Sequence, residues 1–260
     1  SGRVPALDVV FSESNKELVK RMYAGNVVSD HFNAVIARCL KGYVERRSAR
    51  LRPGEKIIIV EIGAGTGGTS EAALGAIREH GERVHYRYTD ISPAFVRSGQ
   101  DRFSGRYPFA SFECLDVERD PADQGFAVGA ADVVIATNVI HATRDISRSL
   151  SHVKQLLRRN GWFLLNELTG VQNFTSLTFG LLKGWWLFDD APARLPHSPL
   201  LSAEQWRDAL TTHGFSPPHA IGLARPDGKS LAQHVLVAMS DGHIARRTPQ
   251  AKEEPRAASE

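Results

Sequence analysis

Ile57-Ile58-Ile59-Val60-Glu61-Ile62-Gly63-Ala64-Gly65-Thr66-Gly67-Gly68-Thr69-Ser70 decides how this chain folds. A run of branched aliphatic residues without polar alternation reads as a strand buried on both faces. The glycines that follow permit a tight turn and let a ligand approach backbone amides without meeting a Cβ. A helix over 70–79, ended by His80 and Gly81, completes a strand, turn and helix unit. The pattern then repeats. Further strands are expected over 84–89, 109–115, 132–136 and 162–165, with helices starting at Ser92-Pro93 and covering 145–158, and a turn at Asn160-Gly161. A helix over 202–213 and two strands over 220–224 and 233–238, close enough to pair antiparallel, finish the core. This alternation predicts an α/β fold: seven strands in a mostly parallel sheet flanked by helices.

Outward from that core, residues 1–50 read as a helical preface or lid, with Leu18, Val19, Met22, Phe32, Val35, Ile36 and Leu40 at mostly helical spacings. Residues 51–240 hold the core; within them 169–200, with Trp185, Trp186 and three prolines, look like a lid insertion lying over the sheet. Residues 241–260 are polar and lack periodicity, which is expected of a disordered linker that buries too little apolar surface to offset its ordering entropy. Of 260 residues, 42% are hydrophobic and 23% charged, enough for one medium-sized domain with appendages. No run approaches the roughly 18 apolar residues of a membrane-spanning helix. The formal charge of +3 is scattered, so neither nucleic acid nor membrane is an expected partner. Cys39 and Cys114 show no CxxC or Cys/His metal spacing, which argues against a disulfide framework or a metal and makes the cytoplasm the default compartment.

Taken literally, Gly63, Gly65 and Gly68 spell the GxGxxG of a dinucleotide site, with Asp90 at the tip of the second strand. Glu61 weighs against that reading, because a carboxylate at the strand end repels a pyrophosphate. S-adenosylmethionine carries no phosphate and brings an ammonium and a sulfonium. In this reading Gly63, Gly65, Gly67 and Gly68 frame the cofactor, Asp90 accepts from both ribose hydroxyls, and Asp116 accepts from the adenine amino group. Ile91, Val117, Thr137 and Asn138 stand beside them on the ligand-binding edge of the sheet. The plainer alternatives are solvated strand-end carboxylates or helix caps, and ordinary turn glycines at Gly67 and Gly68.

The stretch 61–69, Tyr88-Thr89-Asp90-Ile91-Ser92, Ala136-Thr137-Asn138-Val139-Ile140-His141-Ala142-Thr143 and Asn166-Glu167 together resemble the class I S-adenosylmethionine-dependent methyltransferases. Within these, they resemble the C-methyltransferase domains embedded in polyketide synthases. The resemblance covers roughly residues 20 to 240. It implies a Rossmann-like class I methyltransferase fold and transfer of a methyl group to the α-carbon of a β-ketoacyl thioester. It also implies an acyl carrier protein and neighbouring synthase domains as partners, and a catalytic dyad of His141 and Glu167.

The residues support that chemistry on their own terms. His141 follows the fourth strand and Glu167 ends the fifth, so the sheet brings both to one edge, beside the cofactor. Methylating carbon needs a carbanion equivalent. The α-carbon of a β-ketoacyl thioester is acidic enough for an imidazole, with its ordinary pKa of about 6.5, because the enolate spreads over two carbonyls. Glu167 would accept the other ring N–H and fix the tautomer. Asn138 either holds a substrate oxygen or braces its loop. Tyr23 either reaches the pocket through its hydroxyl or packs in the preface, and Trp185 and Trp186 either wall an acyl tunnel or pack as a lid. His31, His152, His197 and His213 have no recognisable partner and read as surface or structural. The rival functions are an O-methyltransferase using the same base, a nicotinamide-dependent reductase, and a scaffold that binds no cofactor.

Overall fold

Ile57–Ile62 (β1) lies inside the sheet in a computed structural model that describes residues 26–172, 180, 183–224 and 230–243. Only Ile58 of β1 keeps partial exposure, as a strand covered on both faces requires. Val84–Asp90 (β2), Ala110–Cys114 (β3), Ala131–Thr137 (β4) and Leu157–Leu168 (β5) are linked to it by parallel pairings. His219–Ala224 (β6) and Ser230–Met239 (β7) form an antiparallel pair, with β7 antiparallel to β5. Among the described residues the order is β3-β2-β1-β4-β5-β7-β6. The order reverses between β1 and β4, and crossovers leaving in opposite directions open a crevice beyond the strand ends there. This is the Rossmann-like α/β architecture expected from the alternation of elements.

Among the described residues five helices cover the sheet: Val27–Ser48 (α1), Gly68–Ile77 (α2), Pro93–Phe103 (α3), Ile146–Leu156 (α4) and Ala203–Thr212 (α5). Side chains alternate across a strand, so β1 splits its residues between two cores. Ile57 and Ile59 pack with Phe32, Ile36 and Leu40 of α1 and Leu74 of α2. Val60 and Ile62 join the opposite core, which contains Leu150 of α4 and Trp206 and Leu210 of α5. Asp145 caps α4 by accepting from the Arg148 amide at 2.9 Å, and Ser202 and Gln205 form a reciprocal capping box on α5. No helix among the described residues is long and apolar enough to cross a membrane.

The structure departs from the sequence reading in places. Asn160-Gly161 is not a separate turn, because β5 runs through it. Asn160 takes a left-handed φ of 61°, and the β4 and β5 register shifts between Ala131 and Val133, so the chain kinks without leaving the sheet. Asn tolerates that conformation better than other non-glycine residues, which is why a turn signal and a strand coincide. Helix α2 starts at Gly68 rather than Ser70. Asp241, expected in a linker, pairs with Lys154 at 2.5 Å and donates its amide to the Gly214 carbonyl at 3.0 Å. Tyr23 and residues 244–260 lie outside the described residues.

Candidate active site

The end of β1 places Glu61 under the glycine turn. Glu61 is 2% exposed, and its Oε2 accepts from Ser70 Oγ at 2.6 Å and Tyr86 OH at 2.7 Å. Burial outweighs these hydrogen bonds and raises its pKa to about 7. The sequence reading of a standing negative charge at the strand end is therefore corrected. Near neutral pH the carboxyl is poised between its two forms, and a cation in the adjoining cavity favours the ionised one.

The turn itself is held by side chains from β2. Tyr88 OH donates to the Gly65 carbonyl at 2.8 Å, and Asp90 Oδ2 accepts from the Gly65 amide at 2.8 Å. Asp90 Oδ1 accepts from the Ser92 amide at 2.8 Å. Asp90 thus closes the loop as well as ending β2, and burial raises its pKa. Gly63 has a φ of 62° and faces Val139. Gly67, with a φ of 76°, faces the Phe103 ring instead of the cavity, so its role is in the turn and in packing α3. Gly68 opens α2 and does line the cavity.

Two cavities meet at Gly63 and Val139. One, of 130 Å³, is lined by Glu61, Gly65, Gly68, Thr137, Asn138 and Asn166 among others. Among the described residues the hydroxyl of Thr137 is buried and has no hydrogen-bond partner. The other, of 260 Å³, is mostly apolar; Ile91, Leu115, Asp116 and Val117 line it. Ile91 is 66% exposed, an apolar side chain on the rim of a slot suited to a flat ring. Asp116 Oδ1 accepts from the Glu118 amide at 2.9 Å. Asp90 lines neither cavity; it reaches the site through Gly65.

Beyond β4 a short turn of helix, Ile140–Ala142, carries His141. His141 is 4% and Glu167 0% exposed, and Nδ1 lies 2.5 Å from Glu167 Oε2. Glu167 Oε1 faces the amides of Val139 (3.2 Å), Ile140 (2.9 Å) and His141 (3.4 Å). A carboxylate only accepts, so Nδ1 carries the ring proton and the neutral imidazole keeps its lone pair on Nε2. No described residue bonds to Nε2. Asn138, at a left-handed φ of 52°, accepts from the Leu168 amide through Oδ1 at 3.1 Å, so it braces the loop, and the residue also lines the cavity. Trp185 packs edge-on against the His141 ring, with centroids 5.6 Å apart, whereas Trp186 is exposed and donates to the Gly180 carbonyl. His152 and His213 hydrogen-bond to the carbonyls of Val117 and Ala209, structural positions distant in kind from the dyad.

The sequence reading missed the residues that set these groups in place. Ser70 and Tyr86 hold Glu61, Gln233 donates to Asn166 Oδ1 at 2.9 Å, and Arg194 reaches the His141 carbonyl at 2.6 Å. The only sequence signal was that Tyr86 and Glu61 sit on neighbouring strands of one face; Arg194 lies in a loop with no motif.

A family profile described as "Methyltransferase domain" matches residues 60–163. Polyketide synthase PksM of Bacillus subtilis (strain 168) is 39% identical over 247 residues, which cover 95% of this chain and 6% of that synthase. The DszA carbon methyltransferase crystal structure superposes with a TM-score of 0.89 at 43% identity, over 94% of this chain and 62% of that one. Trans-methyltransferase CalH, in complex with SAH, gives a TM-score of 0.77 at 29% identity, over 92% and 63% of the two chains. The chain thus spans a small fraction of the synthase it matches and under two thirds of the solved chains. Fold and site together define an S-adenosylmethionine-dependent methyltransferase of the class I type. Within that class, the chain is similar to the carbon methyltransferase domains of polyketide synthases.

Proposed function

We propose that the chain methylates the α-carbon of a β-ketoacyl thioester presented on an acyl carrier protein, as one domain of a cytoplasmic polyketide synthase. The observation that carries this reading is the buried His141 and Glu167 pair, flanked by the cavity-lining residues Val139 and Ala142, with the basic nitrogen of the ring left at Nε2. S-adenosylmethionine supplies an electrophilic methyl group. The residues suit it: Gly63 and Gly65 allow backbone approach, and Glu61 and Thr137 meet the amino acid portion. Ile91, Asp116 and Val117 surround the adenine, while Asp90, set back from both cavities, serves the ribose through the lone pairs not given to Gly65 and Ser92.

His141 takes the α-proton through Nε2, and the electron pair left behind is delocalised over the ketone and thioester carbonyls. Glu167 holds the Nδ1 proton and stabilises the imidazolium that results. Asn138, which lines the cavity, steadies a substrate oxygen.

The test is turnover of S-adenosylmethionine with a β-ketoacyl pantetheine thioester, read by mass spectrometry with location of the new methyl. One methyl on carbon, abolished by His141→Ala, is the expected result. Methylation of a hydroxyl-bearing substrate alone, or full activity of His141→Ala, would reject it.

A further inference from the structure

The segment after β5 returns to the dyad through one buried side chain. Arg194 is 3% exposed. Its Nη1 donates to the carbonyls of His141 (2.6 Å) and Pro199 (2.7 Å), and Nη2 donates to that of Thr143 (2.7 Å). Nε pairs with Asp190, whose Oδ2 accepts from the Ile146 amide at 2.8 Å, at the start of α4. The guanidinium also lies 4.9 Å from the Phe188 ring centroid. Every edge of the fork is therefore used. Burying a cation is costly unless it is paired and hydrogen-bonded, and only a planar fork satisfies converging carbonyls at fixed angles.

What the fork grips is the peptide chain on either side of the base. On the N-terminal side, the Glu167 carboxyl gathers the amides of residues 139–141. On the C-terminal side, Arg194 holds the carbonyls of His141 and Thr143. The backbone of His141 is thus held at both ends, its N–H by the partner of its own ring and its C=O by a residue from the lid segment. Two anchors fix the position of the ring; Glu167 alone would leave the chain beyond the His141 amide without a side-chain hold on its carbonyls. A displacement of about 1 Å at a reacting group can cost about 10²-fold in rate.

We propose that Arg194 is a positioning residue for carbon methylation, which acts by holding the His141 carbonyl so that Nε2 presents its lone pair to the α-proton. It touches neither cofactor nor substrate. The inference rests on the reading of His141 as the base.

Arg194→Lys keeps the charge but lacks the fork. Expected are a fall in kcat of roughly 10- to 100-fold with KM little changed, and an unaltered affinity for S-adenosylhomocysteine by calorimetry. In Arg194→Ala, added guanidinium chloride at millimolar levels should restore part of the lost kcat, and sodium chloride should not. If either variant folds poorly, Asp190→Asn keeps Arg194 but loosens its anchor. It should lower kcat by about threefold or more, again without loss of S-adenosylhomocysteine binding. Wild-type kcat in Arg194→Lys or Asp190→Asn, or a fall in kcat matched by an equal loss of cofactor affinity and no response to guanidinium, would overturn the proposal. Failure of the wild-type chain to methylate a β-ketoacyl thioester would instead overturn the reaction assigned above, so the two failures are told apart.

Discussion

A Cβ built on Gly63 would lie 2.4 Å from Cγ2 of Val139, so the loop after β1 and the loop after β4 interlock at a point where no side chain fits between them. Val139 also donates its amide to Glu167. One residue therefore touches the cofactor turn on one side and the dyad on the other. Both cavities are lined by Gly63 and Val139, and the glycine turn is mechanically tied to the loop that carries His141.

Gly63→Ala should accordingly damage both. Overpacking costs roughly 1–3 kcal/mol, and the left-handed φ adds about 1 kcal/mol for a residue with a Cβ. Denaturant unfolding should show the loss, and calorimetry should show weakened S-adenosylhomocysteine binding. In a double-mutant cycle with Val139→Ala, the two changes should couple by at least about 0.5 kcal/mol, since the smaller side chain relieves the clash but not the φ. Strict additivity would mean the loops do not interlock.

The dyad makes separate demands on its two members. His141→Ala should lower kcat by about 10²- to 10⁴-fold while cofactor affinity stays within twofold or so. Glu167→Gln should impair turnover comparably and also lower Tm, because the carboxyl serves three loop amides as well as the ring. A Glu167→Gln protein as active and as stable as wild type would remove Glu167 from the mechanism.

Glu61 links cofactor binding to pH. Its pKa is about 7 in the folded chain against 4.5 for an ordinary carboxyl. Between those values the folded state retains a proton that the unfolded state has released, so stability falls as pH rises through that window and the cost is complete above it. The full effect is on the order of 3 kcal/mol. Glu61→Gln keeps an acceptor for Ser70 and Tyr86 without a charge to bury. Its stability relative to wild type should therefore improve from about pH 5 to about pH 8. Wild-type affinity for S-adenosylmethionine should rise over the same interval as the carboxyl ionises, and the variant should lack that rise. A pH-independent affinity in the wild-type chain would show that the cofactor's cation does not sense Glu61.

Ser202→Ala separates stability from chemistry. Loss of the capping box on α5 should cost about 0.5–2 kcal/mol, seen as a lower Tm, because α5 buries Trp206 and Leu210 against the sheet. The kcat below the new transition should not change, since the cap lies outside both cavities. A parallel fall in kcat would indicate that α5 also shapes the site.

Much of the fold was legible in local pattern. Uninterrupted aliphatic runs marked the strands buried on both faces, and Ser92-Pro93 and Ser202 marked helix starts, because both signals arise from residues close in the chain. Asn160-Gly161 misled for the same reason: its local preference for a left-handed bend is real, but pairing with β4 keeps the kinked chain in the sheet. The positions of Asp90 and His141 at strand ends could be read, but not what their side chains bond. Asp90 spends an acceptor on Gly65, and Gly67 turns towards Phe103 rather than the cavity.

What the amino-acid order determined by itself was the α/β alternation, the glycine turn and the arrival of His141 and Glu167 at one sheet edge, since periodicity and strand ends are local properties carried into space by parallel pairing. Only the tertiary structure decided the protonation poise of Glu61, the three amides that share Glu167 with His141, and the grip of Arg194 on the loop that carries His141. Those depend on desolvation and on groups converging from distant parts of the chain, and neither burial nor convergence is encoded in the spacing of neighbours along a sequence.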